Sequence, residues 1–300
     1  MKHKKITIKE IIDFLGKDII AIDGEINGKY IDNLADVANS NVTTLDWVSS
    51  SKKEKQVIAE SSRAVVLLVD NSIAPIEGKV LIHVKCPKTA LAKVGNEFFV
   101  EKPEPGIHPS AIIDKDAEIG DGVYIGPYCV IGKAKIGANT AIESFVRIYD
   151  DVEIGDYCHI FDNVVIGAPG FGWQKDDEGN RLRFPQLGKV IIGDHVDIGC
   201  LTCVDRGALS NTIIGDYTKI DSGCKIAHNN LIGNNVVITG GNCIAGSNEI
   251  EDDVWIGPNC SLKEWGHIGK GAFIGIGSVV VTNIKEGTRV FGNPAKKIVL

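Results

Sequence analysis

The chain has 300 residues, enough for one large or two ordinary domains. Its formal net charge of −7, with no long basic run, argues against a nucleic-acid partner. The longest apolar runs, such as Ala64 to Val69, fall far short of the roughly 20 residues that a membrane span needs.

The first third of the chain has alternating helix and strand patterns. The basic start, residues 1–5, is followed by charged residues and not by an apolar core, so we expect no signal peptide. The patterned segments are a helix over Ile6 to Leu15, buried strands over Ala64 to Val69 and Lys79 to Val84, and a helix over Pro87 to Val94. We therefore predict a small α/β domain over residues 1–104.

A six-residue repeat dominates the rest of the chain. Ile-Gly pairs recur from Ile119 to Ile274, mostly at intervals that are multiples of six. This period predicts a triangular coil of three hexapeptides, whose aliphatic residues point inward and stack on their equivalents in neighbouring coils. The glycine is expected to supply backbone freedom at the corner. We predict a mainly β protein, with a parallel β-helix over residues 105–300.

The repeat loses its phase at two places. The step from Ile166 to Ile192 is 26 residues and contains the aromatic and polar stretch 168–188. The step from Ile198 to Ile214 is 16 residues and contains Val204-Asp205-Arg206-Gly207-Ala208. Loops that leave a regular scaffold tend to carry function, so both insertions are candidates for the site.

Several segments beyond the repeat resemble one known family. They are Gly106-Ile107-His108-Pro109-Ser110-Ala111, Gly170-Phe171-Gly172, Pro185-Gln186-Leu187-Gly188, Ile226-Ala227-His228-Asn229 and Ile244-Ala245-Gly246-Ser247. The chain resembles the UDP-3-O-acylglucosamine N-acyltransferases of lipid A biosynthesis over nearly its whole length. The resemblance implies a left-handed β-helix. It also implies transfer of an acyl group, typically 3-hydroxyacyl, from a thioester to the amine of a nucleotide-linked sugar, with no metal or redox cofactor.

His228 is the candidate general base. An amine that attacks a thioester must lose a proton, and the unperturbed imidazole pKa of about 6.5 suits that transfer. The resemblance assigns the base to His228, and the alternative is an ordinary surface histidine at a coil corner. It also assigns the oxyanion donor to the backbone N–H of Gly246, one 18-residue coil later, where the alternative is a routine corner glycine.

Two polar residues near His228 are further candidates. Asp205 lies in the second insertion and is predicted to orient His228 or to accept a sugar hydroxyl. An ion pair with Arg206 is the alternative for Asp205. Asn229, directly after His228, is a candidate polar contact to the substrate.

The resemblance also implies aromatic contacts to the nucleotide in the first domain. Trp47 stands where the family usually has phenylalanine, and the alternative is a core residue. Lys53 replaces the family's tyrosine and is a candidate contact to the diphosphate. In the first insertion, Phe171 and Trp173 are candidates to line an acyl or sugar pocket, or to cover the edge of the coil.

A second functional histidine is expected from the resemblance, and the sequence leaves its position open. His267 lies near it, but the alignment favours Glu264. His267 is therefore included as a candidate substrate contact.

Other functions remain as alternatives. The ending Gly292-Asn293-Pro294-Ala295 is similar to that of coenzyme A-dependent hexapeptide acyltransferases, and the family's C-terminal helices are missing. The donor is thus either an acyl carrier protein or coenzyme A, and an amino-dideoxy sugar for surface polysaccharide is the alternative acceptor. More remote alternatives are a metal hydratase, for which the histidine spacing is unsuitable, and a non-catalytic scaffold.

The remaining expectations concern assembly and location. A coil stack buries only its interior, and the family forms trimers with sites between neighbouring helices, so we predict a homotrimer. The eight cysteines mostly occupy small-residue positions of the repeat and are predicted to be reduced. We therefore expect a cytoplasmic protein.

Overall fold

The computed structural model describes residues 5–298. Residues 1–4, part of the basic start that entered the signal-peptide expectation, lie outside the described residues. The chain divides after Lys102 into two compact units, called unit 1 and unit 2 below. From the sequence we placed this boundary between residues 104 and 105.

Unit 1 is a small α/β unit. Its five-stranded sheet contains, in spatial order, Ile19–Asp23, Val80–Val84, Val66–Val69, Thr44–Trp47 and Asn33–Leu34, of which only the first pair is antiparallel. A short antiparallel pair joins Ile6–Thr7 to Tyr30–Ile31. The helices are Ile8–Leu15, the 3₁₀ turn Gly16–Asp18, Lys55–Ser61 and Pro87–Phe98.

The sequence explains the strands and helix ends of unit 1. Val66–Val69 and Val80–Val84 are apolar apart from His83 and are buried along their whole length, as expected for central strands covered on both faces. The first helix begins at Thr7, whose hydroxyl accepts the Glu10 N–H while the Glu10 carboxylate accepts the Thr7 N–H. The last helix has proline at its first position, where no N–H is needed.

Unit 2 is a left-handed parallel β-helix with three faces. The first face contains Gly106–Ile107, Tyr124–Ile125, Ala141–Ile142, His159–Ile160, Asp197–Ile198, Lys219–Ile220, Val237–Ile238, Trp255–Ile256, Phe273–Ile274, Arg289–Phe291 and the antiparallel Lys296–Lys297. The second face contains Ile112–Ile113, Val130–Ile131, Arg147–Ile148, Val165–Pro169, Cys203–Arg206, Lys225–Ile226, Cys243–Ile244, Ser261–Leu262 and Val279–Val280. The third face contains Glu118–Ile119, Lys135–Ile136, Val152–Ile154, Val190–Ile192, Thr212–Ile214, Leu231–Ile232, Glu249–Ile250 and His267–Ile268.

The inward isoleucines form the core of unit 2. Ile142 pairs with Ile160, and Ile160 with Ile198, so equivalent side chains stack from coil to coil. All three are fully buried, in one continuous apolar cluster that runs through the stack. This stacking removes each side chain from water without any contact inside its own coil, which is why the repeat holds its period.

Except at Gly167, which has a positive φ, the glycines of the Ile-Gly pairs have a different function from the one predicted. We expected it to provide backbone freedom, yet Gly120 and Gly257 lack a positive φ. A Cβ on Gly120 would lie 2.7 Å from the backbone nitrogen of Ala138 in the next coil, and one on Gly257 would lie 2.7 Å from that of Ile276. Glycine is therefore required at these positions because adjacent coils approach too closely for a side chain.

Residues other than these glycines adopt the left-handed backbone conformation at the corners. Fifteen described residues other than glycine have positive φ, and most occupy the second corner position, as Tyr128, Asn229 and Trp265 do. Such conformations are unfavourable singly for branched or bulky residues, and their recurrence marks a fixed turn geometry.

Side chains of aspartate and asparagine satisfy the backbone most regularly at the corner column after the third face. There the N–H of Ala138 donates to Asp156 Oδ1, that of Asp194 to Asp216 Oδ1, and that of Asn234 to Asp252 Oδ1. Each carboxylate or amide belongs to the next coil along the stack. These bonds pair N–H groups that the ladder leaves open, so the corner closes without buried unpaired donors.

The first insertion forms a hairpin. Strands Trp173–Lys175 and Arg181–Arg183 pair antiparallel, and the segment 184–188 returns to the third face. No helix within residues 5–298 is long and apolar enough to cross a membrane.

Candidate active site

One corner of unit 2 carries both insertions and the candidate base. The strands Val165–Pro169, Cys203–Arg206, Lys225–Ile226 and Cys243–Ile244 are consecutive neighbours on the second face. The first insertion, the second insertion, His228 and Gly246 follow these strands in that order. The two phase slips in the sequence therefore emerge from the same edge, directly beside His228.

A cavity of about 1390 Å³ lies along this edge. His228 and Asn229 line it from the coil, and Phe171 and Trp173 line it from the hairpin. Four of the residues that we selected from the sequence thus share one cavity. The other lining residues are Gly172, Gln174, Arg181, Phe184, Gln186, Ala208, Leu209, Ser210, Leu231, Ser247, Asn248, Glu249 and Trp265.

Two glycines make the space for the His228 ring. A Cβ on Gly246 would lie 2.7 Å from His228 Cε1 and 2.9 Å from Nε2. A Cβ on Gly170 would lie 2.9 Å from His228 Cδ2. The ring therefore lies between two backbone segments from different coils, and a side chain at either glycine would displace it.

Asn229 sets the tautomer of His228. The Ala208 N–H donates to Asn229 Oδ1 at 3.0 Å, and Asn229 Nδ2 donates to Ser210 Oγ at 2.7 Å, so the orientation of the amide is fixed by its partners. The same Oδ1 lies 2.9 Å from His228 Nδ1. An oxygen can only accept there, so in the neutral imidazole the proton is on Nδ1 and the lone pair is on Nε2.

This arrangement changes the role of Asn229. We selected it as a substrate contact, but its amide is bonded to Ala208, Ser210 and His228. A group with those bonds positions its neighbour more directly than it binds a ligand.

The backbone N–H of Gly246 is open. At the corner column after the third face, the equivalent N–H donates to an aspartate or asparagine of the next coil. Here the next coil has Glu264 at that position, and within residues 5–298 no acceptor bonds the Gly246 N–H. A free donor beside His228 is what a developing oxyanion requires.

Asp205 does not contact His228. It is buried, and its Oδ1 accepts from Lys225 Nζ one coil along, with Cys203 Sγ at 3.5 Å. Burial raises the pKa of the Cys203 thiol. The expectation that Asp205 orients His228 is therefore corrected, because Asn229 occupies that position. The alternative pair with Arg206 is also absent among the described residues, since Arg206 bonds the Asp150 carbonyl and lies 3.8 Å from Asp151 Oδ2.

The hairpin presents an aromatic wall to the cavity. Phe171 is 82% exposed and meets the Trp173 ring edge-on, with 6.1 Å between the ring centroids. The Arg183 guanidinium covers the Trp173 ring at 4.7 Å from its centroid. An exposed aromatic pair on a cavity wall is suited to contact an apolar or sugar ligand.

The nucleotide candidates Trp47 and Lys53 belong to unit 1. Trp47 ends the strand Thr44–Trp47 and packs against the core of unit 1, as its alternative assignment predicts. Lys53 is exposed in the following turn. Trp47 lies at the carboxyl end of a parallel strand, the usual location of ligand sites in α/β sheets, and Lys53 follows six residues later.

His267 does not line the cavity. It lies in a strand of the third face, where its Nε2 is 2.9 Å from Glu251 Oε1. Glu264, the competing position, occupies the corner one coil beyond Gly246. The expectation that His267 contacts the substrate is thus not supported by its place in the fold.

Sequence reasoning missed most of the cavity wall, including Ser247, Trp265 and Gln186. Ser247 and Trp265 follow Asn229 at 18-residue intervals, so counting coils from His228 would have found both. Gln186 was noted only as part of a motif. Nothing in its sequence context predicts that its side chain returns to His228, because that depends on the path of the hairpin.

Comparison with known proteins agrees with the repeat. A family model described as bacterial transferase hexapeptide (six repeats) matches residues 133–168. The UDP-3-O-acylglucosamine N-acyltransferase 1 of Francisella tularensis subsp. holarctica is 36% identical over 262 residues, which is 78% of this chain and 74% of that protein. The UDP-3-O-acylglucosamine N-acyltransferase of Coxiella burnetii is 36% identical over 240 residues, 72% of this chain and 69% of that protein.

Solved structures give the same fold. The UDP-N-acetylglucosamine acyltransferase from Campylobacter jejuni matches with a TM-score of 0.58 and 30% identity, over 65% of this chain and 75% of that one. The Francisella novicida UDP-N-acetylglucosamine acyltransferase matches with a TM-score of 0.58 and 27% identity, over 64% of this chain and 68% of that one.

Proposed function

The chain belongs to the UDP-3-O-acylglucosamine N-acyltransferase family, and from this we propose that it acylates the amine of UDP-3-O-acylglucosamine in lipid A synthesis. The observation that carries the proposal is the pairing of His228 with Gly246. His228 lines one large cavity, and its ring is bordered by Gly246, whose backbone N–H has no acceptor among the described residues.

The reaction follows from these two groups. The substrate amine attacks the thioester carbonyl carbon, forming a C–N bond, while His228 Nε2 removes a proton from the nitrogen. The carbonyl oxygen becomes an oxyanion that the Gly246 N–H stabilises. Collapse of the intermediate breaks the C–S bond, and the imidazolium returns the proton to the departing thiolate. Asn229 holds Nδ1–H throughout, which keeps Nε2 directed at the reacting atoms.

We also propose an acyl donor and the residues that contact the substrates. The donor is a 3-hydroxyacyl thioester of an acyl carrier protein, with coenzyme A as the alternative, and no metal or redox cofactor takes part. Phe171 and Trp173 contact the acyl chain or the sugar, and Trp47 and Lys53 contact the nucleotide. The amino-dideoxy sugar stays the alternative acceptor.

Assembly as a homotrimer in the cytoplasm completes the proposal. Tyr128 and Phe145 form an exposed stacked pair on one corner, 60% and 55% exposed, and surfaces of this kind favour association. Light scattering should give three times the chain mass of 32.2 kDa. A monomer mass would overturn the trimer and leave the acyl-transfer chemistry standing.

The decisive experiment is an acyl-transfer assay with the purified chain. UDP-3-O-acylglucosamine is offered with 3-hydroxyacyl carrier protein, and a dTDP-amino sugar with a short acyl-CoA. Turnover of the first pair supports the proposal, and turnover of the second pair alone contradicts it in favour of the alternative acceptor.

Two histidine variants identify the base. His228→Ala should lower kcat by about 100-fold or more. The matched control is His195→Ala, another corner histidine, whose ring stacks between Tyr157 and Tyr217. The control should keep wild-type activity, and an equal loss in both variants would count against His228 as the base.

A further inference from the structure

Gln186 has a buried oxygen without a partner. Its Oε1 is inaccessible to solvent and forms no hydrogen bond within residues 5–298. Its Nε2 donates to the Phe184 carbonyl oxygen at 3.3 Å, which directs the oxygen the other way. A buried acceptor left unpaired in the free protein costs free energy, so its presence at a cavity wall indicates a hydrogen-bond donor on the ligand.

The unpaired oxygen lies beside the candidate base. A Cβ on Gly170 would lie 2.7 Å from Gln186 Oε1, 2.7 Å from His228 Cβ and 2.9 Å from His228 Cδ2, so both side chains border Gly170. His228 Cδ2 is bonded to Nε2, the atom proposed to take the proton. Gln186 and His228 both line the cavity, and the Gln186 oxygen is covered in the free protein.

The chemistry of the reacting groups selects the partner. The carbonyl oxygen and the sulfur of a thioester carry no hydrogen and cannot satisfy Oε1. The acceptor amine has one N–H for His228 and at least one more. A hydroxyl in the same place has a single hydrogen, which His228 would take, and its lone pairs would then face Oε1.

We infer that Gln186 makes the enzyme select an amine over a hydroxyl acceptor, by accepting the second N–H of the attacking nitrogen. The inference rests on the proposed function, because it takes the acceptor to be an amino sugar. It adds a specificity residue to the site, whose amide turns toward the cavity when the substrate binds, because Oε1 is covered in the free protein.

The test measures binding of two matched ligands without donor. Calorimetry gives the dissociation constants of UDP-3-O-acylglucosamine and of UDP-3-O-acylglucose, which differ only in the amine and the hydroxyl. Wild type should bind the amine more tightly. Gln186→Met, which keeps the length and removes the acceptor, should weaken amine binding by about tenfold or more and leave hydroxyl binding unchanged or tighter.

Two further variants separate specificity from folding. Gln186→Glu retains an acceptor oxygen and should keep the preference for the amine. Gln174→Met makes the same substitution at the other glutamine of the cavity wall, which is exposed, and should leave the ratio of the two dissociation constants unchanged. Kinetics with both acceptors should show the same change in the ratio of kcat/KM.

The outcomes distinguish the inference from the function. If Gln186→Met weakens both ligands equally, or neither, the specificity role is wrong while acyl transfer stands. If wild type neither binds nor acylates UDP-3-O-acylglucosamine, the proposed function fails and the inference fails with it.

Discussion

Around His228, the available space is set by residues without side chains. Gly170 and Gly246 border the ring from two coils, and the Gly246 backbone N–H has no partner in the part of the chain that the structure describes. At the residue scale, the site therefore depends on the absence of side chains at these two glycines as much as on the imidazole.

Gly246→Ala should inactivate the enzyme without unfolding it. The new methyl group would lie 2.7 Å from His228 Cε1 and must push the ring away, and displacement of a catalytic group by about 1 Å costs roughly 100-fold in kcat. Gly240→Ala is the control, since its Cβ comes no closer than 3.0 Å to any atom. Thermal unfolding and kcat are measured for both, and an active Gly246→Ala would exclude this geometry.

Asn229→Leu should lower kcat by about 100-fold or more, because His228 loses the acceptor that holds its proton on Nδ1. Asn235→Leu is matched to it, since Asn235 has the same left-handed corner conformation and its side chain bonds Asp253 Oδ1 alone among residues 5–298. Steady-state kinetics should separate the two variants. Equal activity would mean that Asn229 has a structural role alone.

The acid stability of unit 1 should depend on Asp70. Burial alone would raise its pKa, but hydrogen bonds from Lys55 and Ser72 outweigh it and lower the pKa to about 2. The carboxylate thus contributes about 2 kcal/mol above pH ~4, and the contribution is lost as the pH falls towards 2. Asp70→Asn should lower the unfolding free energy at neutral pH and show no deficit near pH 2. A deficit independent of pH would contradict the assignment.

At the scale of elements, buried asparagines hold successive corners together. Asn230 donates to the carbonyl oxygens of Ala227 at 2.7 Å and Ala245 at 3.0 Å, the residues directly before His228 and Gly246. Its Oδ1 accepts the Asn248 N–H. One side chain therefore fixes the separation of the base and the oxyanion donor.

Asn230→Leu and Asn242→Leu should destabilise the protein to similar extents but affect activity differently. Asn242 makes equivalent bonds at another corner, to the Thr239 and Gly257 carbonyls. Each substitution leaves buried backbone groups unpaired, at about 1–3 kcal/mol. Only Asn230→Leu should also lower kcat, which denaturant unfolding and kinetics together would reveal. Equal kcat in the two variants would refute this role.

The regular elements were predictable from the sequence and the inserted ones were not. Isoleucine spacing alone predicted the stacked coils, because burial of Ile142 or Ile160 depends only on the period. The hairpin around Trp173 and the return of Gln186 to His228 depend on tertiary contacts that no period encodes. For the same reason Asp205, chosen for its place in an insertion, pairs with Lys225 instead of His228.

At the scale of the whole molecule, the stability of the β-helix is approximately a sum of contributions from its coils and from the contacts between neighbouring coils. Neighbouring coils contact each other directly, so removal of one complete turn leaves equivalent surfaces to rejoin. Residues 124–140 make up one turn, since Tyr124 pairs with Ala141 and Ile125 with Ile142.

Deletion of residues 124–140 should therefore give a protein that still unfolds in one cooperative transition. Deletion of residues 124–137, three short of a turn, should not, because the inward isoleucines would lose their register. Circular dichroism during heating measures both proteins. Similar melting of the two would show that stacking tolerates a broken period.

The residues of the cavity wall repeat from coil to coil in the same way. Asn229, Ser247 and Trp265 occupy the same corner on three successive coils, so the cavity extends along the stack in steps of one strand spacing, about 4.8 Å. The residue that forms this wall therefore changes once per coil, at fixed intervals along the cavity. A ligand whose length changes by less than one interval ends against the same wall residue. A ligand longer by one interval ends against the equivalent residue of the next coil, which is 18 residues away in the chain.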